Sequence, residues 1–218
     1  MGATAAAAGV AAVPSAAVAA TGPTPTPRRA QHRSMVLLQN LDGILPLKIT
    51  SGSPTKVYGY GLSAAALTAY GLTPVADPAE ADLAVLLLQT PRSGEHLADL
   101  DYKDTNADYQ AVRAVQAAGI PSIAAVQLDR PAILTNIRDK VTGLVAHFGL
   151  SEEALLDVLT GRACPEGRLP FDLPATPASV LAQQPDLPYD LEHPLYRHGF
   201  GLCYPSHRSS AKGGAHVP

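Results

Sequence analysis

Apolar and polar positions divide the chain into three regimes. Up to about residue 33 the apolar residues are nearly all Ala and Val, without a period, and TGPTPTPRR follows. From Ser34 to about residue 164, runs of Val, Leu and Ile alternate with shorter amphipathic stretches. Beyond that point the regular pattern stops and prolines recur.

The middle regime reads as alternating strands and helices. SMVLLQN is apolar and ends at Asn40, where Asp42-Gly43 supplies a turn, and ILPLK follows as a short extended piece. KVYGYGL (56–62) is a short strand, and SAAALTAYG (63–71) a short helix closed by Gly71. ADLAVLLLQ (81–89) is continuously apolar, as expected of a strand covered on both faces. Asn106 or Asp108 caps a helix through AVRAVQAAG, ended by Gly119. IPSIAAVQL (120–128) and VTGLVAHFG (141–149) are two further strands. Between them PAILTNIRD reads as a helix opened by Pro131, whose missing N–H costs nothing in a first turn. Ser151 caps SEEALLDVLTG, with Glu152 and Glu153 where the helix dipole favours acids. Such alternation predicts an α/β fold, a three-layer sandwich with a mostly parallel sheet between helices. A disordered Ala/Pro-rich tail is expected over 1–33, a folded domain over 34–205 and a second disordered tail over 206–218.

Composition narrows the chemistry. A formal net charge of −3 gives no basic field for nucleic acid or membrane lipid, so neither partner is expected. Aromatic residues make up only 5% and Trp is absent, which is thin for gripping sugars on aromatic platforms of the chain's own. Cys164 and Cys203, the two cysteines, read as buried or half-buried thiols, and no Cys/His spacing predicts a metal site. No cofactor is expected, because Gly59-Tyr-Gly61 is too short for a phosphate-binding fingerprint. The first residues are small, but they lack a positive start and a Leu-rich stretch, so secretion is only weakly signalled and a cytoplasmic location is expected.

Four segments, in order, resemble the C-terminal α/β domain of family 3 glycoside hydrolases. They are RSMVLLQNLDGILPLK (33–48), ADLAVLLLQTP (81–91), LLDVLTGRACPEGRLPFDLP (155–174) and HPLYRHGFGLCY (193–204). The third is similar to the family's Gly-x-x-x-Pro-x-Gly-[Arg/Lys]-Leu-Pro-Phe signature. The fourth is similar to its closing Pro-Leu-[Tyr/Phe] segment, with His198 where Phe is usual. Residues 33–204 carry the likeness, which fits a bacterial branch with a shortened second domain. The last two segments read as structural, their prolines and glycines pinning one edge of the sheet.

The resemblance implies hydrolysis of β-linked glycosides of β-glucosidase type, with two carboxyl groups about 5 Å apart. It places the nucleophile on an N-terminal barrel of roughly 200 residues or more, for which the 33 low-complexity residues leave no room. The chain is therefore expected to be a fragment inactive alone, served by a separate barrel polypeptide. The alternative is a non-catalytic carbohydrate-binding or scaffold module. The resemblance also puts the acid/base on the loop after the 81–89 strand, TPRSGEHLADLDYKDTN (90–106). Glu95 is its candidate there. His96, Asp99 and Asp101 are candidates for holding the sugar, by likeness to a His-x-Gly-Asp-Leu-[Asn/Asp]-[Phe/Tyr] loop with Ala98 in the Gly place. Asp129-Arg130, after the next strand, is expected to hold this loop through ionic contacts, and His147 to be a satisfied core or strand-end histidine.

Overall fold

The computed structural model describes residues 27–49, 55–92, 100–184, 186–187 and 189–204. Six strands form one sheet: β1 (Val36–Asn40), β2 (Lys56–Tyr60), β3 (Thr73–Val75), β4 (Leu83–Gln89), β5 (Ser122–Gln127) and β6 (Gly143–His147). Their order is β1-β6-β5-β4-β2-β3. All neighbours are parallel except β1, which runs antiparallel to β6.

The apolar runs of the central strands bury both faces, as a parallel sheet between helices demands. On β4, Ala84, Leu86 and Leu88 face one core and Leu83 and Val85 the other. The first core is closed by Tyr109, Val112 and Val115 of α3 (Ala107–Ala118) and by Ile137 of α4 (Thr135–Arg138). The second is closed by Ala66 and Leu67 of α2 (Ala64–Ala69) and by Leu155, Leu156 and Leu159 of α5 (Glu152–Leu159). This is the expected three-layer arrangement. The caps also follow the sequence: Ser63, Asn106 and Ser151 each accept from a backbone N–H in the first turn of α2, α3 and α5.

Three elements depart from expectation. Arg28–Ser34, all but its last residue in the stretch expected to be tail, is helix α1. It has no apolar stripe, and polar contacts dock it. Ser151 N donates to Gln31 Oε1 at 2.8 Å, and His32 Nε2 lies 3.0 Å from Asp157 Oδ2. Helix α4 covers only Thr135–Arg138, not the whole of PAILTNIRD. The residues before it are taken by pairing instead, since Ile133 bridges Asp101 in parallel and Ile133 N donates to Leu100 O at 3.2 Å. Asp108 is not the cap of α3; that role falls to Asn106. The tails at 1–26 and 206–218 lie outside the described residues.

The two signature segments close the edge of the sheet. Gly167 N donates to Met35 O at 2.9 Å and Leu202 N to Leu37 O at 2.8 Å, so both segments lie along the free side of β1. They also bind each other, with Leu169 N on Phe200 O and Gly199 N on Leu169 O. A Cβ at Gly167 would stand 2.5 Å from Met35 O, and one at Gly201 2.6 Å from Gly167 O. Only glycine lets these three backbones approach so closely. An edge strand left bare would invite pairing with other chains, and the covering segments remove that hazard. Helix α6 (Pro177–Leu181) lies between the two segments in the chain.

Candidate functional site

The sheet fixes where chemistry can gather. The crossover from β2 runs over the α2 face and that from β4 over the α3 face. The chain thus departs to opposite faces at the carboxyl ends of two neighbouring strands, β2 and β4. Such a switch point is where open α/β sheets bind ligands. The loop at 90–106 starts here.

Its two ends are tied down. Gln89 N donates to Asp108 Oδ2 at 2.7 Å, and Tyr60 OH to Asp108 Oδ1 at 2.9 Å. Burial, with Asp108 alongside, pushes the Tyr60 hydroxyl up to about 12, so it stays a donor. Thr90 Oγ1 donates to Gln127 O, and Tyr102 OH to Gln89 O at 2.7 Å. Tyr102 is buried, and that burial drives its pKa well above the usual phenol range. Asn136 Nδ2 holds Tyr102 O at 2.7 Å. Arg92 pairs with Asp129, while Arg130 Nη2 donates to Pro91 O at 2.8 Å. Asp129 and Arg130 therefore both hold the loop, each through a partner on its first leg.

Glu95, His96 and Asp99 lie outside the described residues. Asp101 is the one predicted site residue that the structure places. It lines a cleft of about 280 Å³ with Arg92, Lys103 and Asn106, and its Oδ1 is buried without a hydrogen-bond partner among the described residues. Gln89, Thr90, Gln127 and Asp129 line an adjoining cleft of about 320 Å³ at the ends of β4 and β5.

Three groups differ from the sequence reading or escape it. His147 is buried, but neither ring nitrogen has a partner among the described residues, so it is not a satisfied core histidine. Burial alone lowers its pKa to about 4. Cys164 is half-buried as expected, whereas Cys203 is exposed, because it sits on the segment that covers the outer side of β1. Asp172 of RLPFDLP and Arg130 each keep a buried polar atom unbonded among the described residues. The Asp in a Pro-rich signature was the available signal for the former, masked by its structural reading. Among the described residues no group of three or more His, Cys, Asp or Glu is placed to hold a metal ion. None of their helices is long and apolar enough to cross a membrane.

Comparison with known proteins adds an independent line. Residues 68–204 match the glycosyl hydrolase family 3 C-terminal domain model. A periplasmic β-glucosidase/β-xylosidase of Dickeya chrysanthemi is 42% identical over 183 residues, 79% of this chain and 27% of that protein. β-Glucosidase C of Emericella nidulans is 39% identical over 185 residues, 81% of this chain and 29% of its own length. The chain thus spans under a third of these curated relatives. Among solved structures, a Listeria innocua β-glucosidase in complex with glucose superposes with a TM-score of 0.61 at 19% identity, covering 81% of this chain and 33% of that one. Thermotoga neapolitana β-glucosidase 3B in complex with glycerol gives 0.61 at 18%, covering 81% and 37%. At these identities the likeness concerns the fold.

Proposed function

The chain belongs to glycosyl hydrolase family 3, as a C-terminal domain of β-glucosidase-like proteins, and from that premise we propose that it supplies the domain-side half of a β-glucosidase active site. The nucleophile comes from a barrel polypeptide, and the substrate is a β-linked glycoside. The observation that carries this reading is the loop at 90–106, tethered at both ends at the switch point of the sheet. A donor group that must meet a glycosidic oxygen needs such fixed anchors, because misplacement by an ångström is costly to rate.

In this reading Glu95 is the acid/base, protonating the leaving oxygen and then activating water. His96, Asp99 and Asp101 hold sugar hydroxyls, with the imidazole of His96 able to donate or accept. Support for Asp101 is its unbonded buried oxygen beside Arg92 and Lys103. The chain by itself presents half of the carboxyl pair and turns over nothing. A cytoplasmic location goes with this reading and is checked by fractionation of the producing cell.

The test uses p-nitrophenyl β-D-glucoside. The purified chain releases no nitrophenol. Co-expressed with the part of the Dickeya chrysanthemi relative that this chain does not span, it does. Glu95→Gln then lowers kcat by about 10²–10⁴-fold, and His96→Ala raises KM. Turnover by the purified chain alone, abolished by either substitution, overturns the division of labour. Silence of the co-expressed pair overturns the assignment of activity.

A further inference from the structure

The seam that closes the edge of β1 carries the chain's two cysteines. We propose that Cys164 and Cys203 form a redox modification site: an anionic small-molecule disulfide of the glutathione class docks in the cationic groove they share and oxidises them to an internal disulfide. The site shares no lining residue with the two clefts at the loop 90–106 and needs no glycoside.

Backbone pairing brings the two thiols together. The two signature segments run antiparallel: Leu173 bridges Tyr196, and Leu169 N donates to Phe200 O at 3.0 Å. Nearer the cysteines, Arg168 Nη1 donates to Gly201 O, and a Cβ on Gly201 would stand 2.6 Å from Gly167 O. That course, continued, sets Cys203 against residues 164–166, and both cysteines line one groove of about 580 Å³. Burial first, then Glu166 and Cys203 alongside, raise the Cys164 thiol above its ordinary pKa, so the two sulfurs lie within electrostatic reach of each other. They differ in access. Cys203 is exposed, with Arg168 Nη2 3.5 Å from its sulfur, and Cys164 is half-buried. Cys203 is therefore the thiol that meets a reagent from solvent, and Cys164 the one that resolves.

The groove selects an anion. Arg29, Arg162 and Arg168 line it beside one lining carboxylate, Glu166, whose charge is offset by Arg33 Nε at 3.5 Å. Arg162 is laid over the Tyr70 ring, 4.2 Å from its centroid, which steadies the guanidinium. The small disulfide is the oxidant. The Cys203 thiolate attacks one of its sulfurs; that S–S bond breaks, one small thiolate leaves and takes a proton from water, and a mixed disulfide remains on Cys203. Cys164 gives its proton to water and attacks the Cys203 sulfur, displacing the second small thiolate, which is protonated in turn. The protein loses two electrons and two protons, and two small thiols are released. The new bond joins the CPEGRLPFDLP turn to the closing segment and locks the cover on β1.

The test exposes the reduced full chain to oxidised glutathione and reads its intact mass, then its peptides digested without reductant. The expected product is lighter by two hydrogens, yields a Cys164–Cys203 peptide pair, and melts about 5–10 °C above the reduced chain. Cys164→Ser stops at one glutathione on Cys203, and Cys203→Ser reacts at least about 10-fold more slowly. Charge recognition is read with bis(2-hydroxyethyl) disulfide, which is neutral. Each rate is normalised to that reagent's rate with free cysteine, and oxidised glutathione should then be favoured by about 10-fold, a preference erased by the Arg29→Ala/Arg162→Ala double variant. Two glutathione adducts without an internal bridge, a bridge between two chains, or an unchanged mass overturn the proposal. Equal normalised rates for the two disulfides, unmoved in the arginine variant, overturn it as well, since the groove then recognises no charge.

Discussion

Acidification should destabilise this domain through a buried imidazole, His147. The side chain ends β6 and is 1% exposed, with both nitrogens unbonded among the described residues. Burial lowers its pKa from 6.5 to about 4. In the unfolded chain the imidazole is solvated and titrates near 6.5. The native state therefore binds fewer protons between those two values, and stability falls as pH falls. The contribution is intact above pH 6.5, declines through the window, and is fully lost below about pH 4. The gap corresponds to about 3 kcal/mol in all, most of it spent between pH 7.5 and pH 4.5. That is a large share of the ~5–15 kcal/mol that holds a typical domain together. Urea melts of the native chain and of His147→Leu, at several pH values across this range, isolate the effect. The Leu variant should match or exceed the native stability at pH 7.5, because an apolar group replaces two unsatisfied nitrogens. Its loss on acidification should be smaller by the stated amount. Parallel pH curves for the two proteins, or an imidazole titration midpoint near 6.5 by NMR, would refute the reasoning.

Other expectations test the frame around the site. Asp157→Ala removes the partner of Tyr70 OH at 2.7 Å and of His32 Nε2 at 3.0 Å; it should cost about 3 kcal/mol in urea melts and speed tryptic cleavage at Arg28 and Arg29 in helix α1. Gly201→Ala drives a Cβ to 2.6 Å from Gly167 O, and the melting temperature should register a loss of about 2–4 kcal/mol. Arg92→Ala breaks an exposed pair with Asp129, so stability should change by less than about 1 kcal/mol. Tyr102→Phe deletes the hydroxyl on Gln89 O and should cost about 1 kcal/mol, with faster amide exchange at Gln89 as the local sign.

Apolar length and capping chemistry carried most of the fold. LAVLLLQ could only be a strand covered twice, and Ser63, Asn106 and Ser151 fixed where three helices begin. What the chain did not announce was built by tertiary contact. Strand β3 is three residues long and contains Pro74, which demotes a strand reading; it survives because it lies at the outer edge, paired only with β2. Helix α1 has no apolar face, and its anchors, Ser151 and Asp157, lie more than a hundred residues away. The start of PAILTNIRD was drawn from helix into pairing by Asp101 and Leu100. Local propensity gives way in each case to partners that are distant in sequence.

The family was legible in a different way, and for a reason the fold makes plain. The motifs that identify the family, CPEGRLPFDLP and HGFGLCY, sit on the outer side of β1, where backbone crowding at Gly167 and Gly201 dictates residue type. Steric demands of that kind leave a fixed pattern in any sequence that keeps the edge closed. The described ends of the loop at 90–106 are held by ordinary residues at unremarkable spacing, Thr90 and Tyr102, with Asp108 of α3 on Gln89 N. A recognisable signature thus reports how the sheet is sealed, while the positions open to chemistry carry little pattern. Within the sealing motif, Asp172 uses one oxygen to hold His198 N and keeps the other buried, without a hydrogen-bond partner among the described residues. If sealing is its sole task, an asparagine holds the same N–H without burying a charge, and urea melts of Asp172→Asn should show a gain in stability; a loss of about 1 kcal/mol or more refutes that reading.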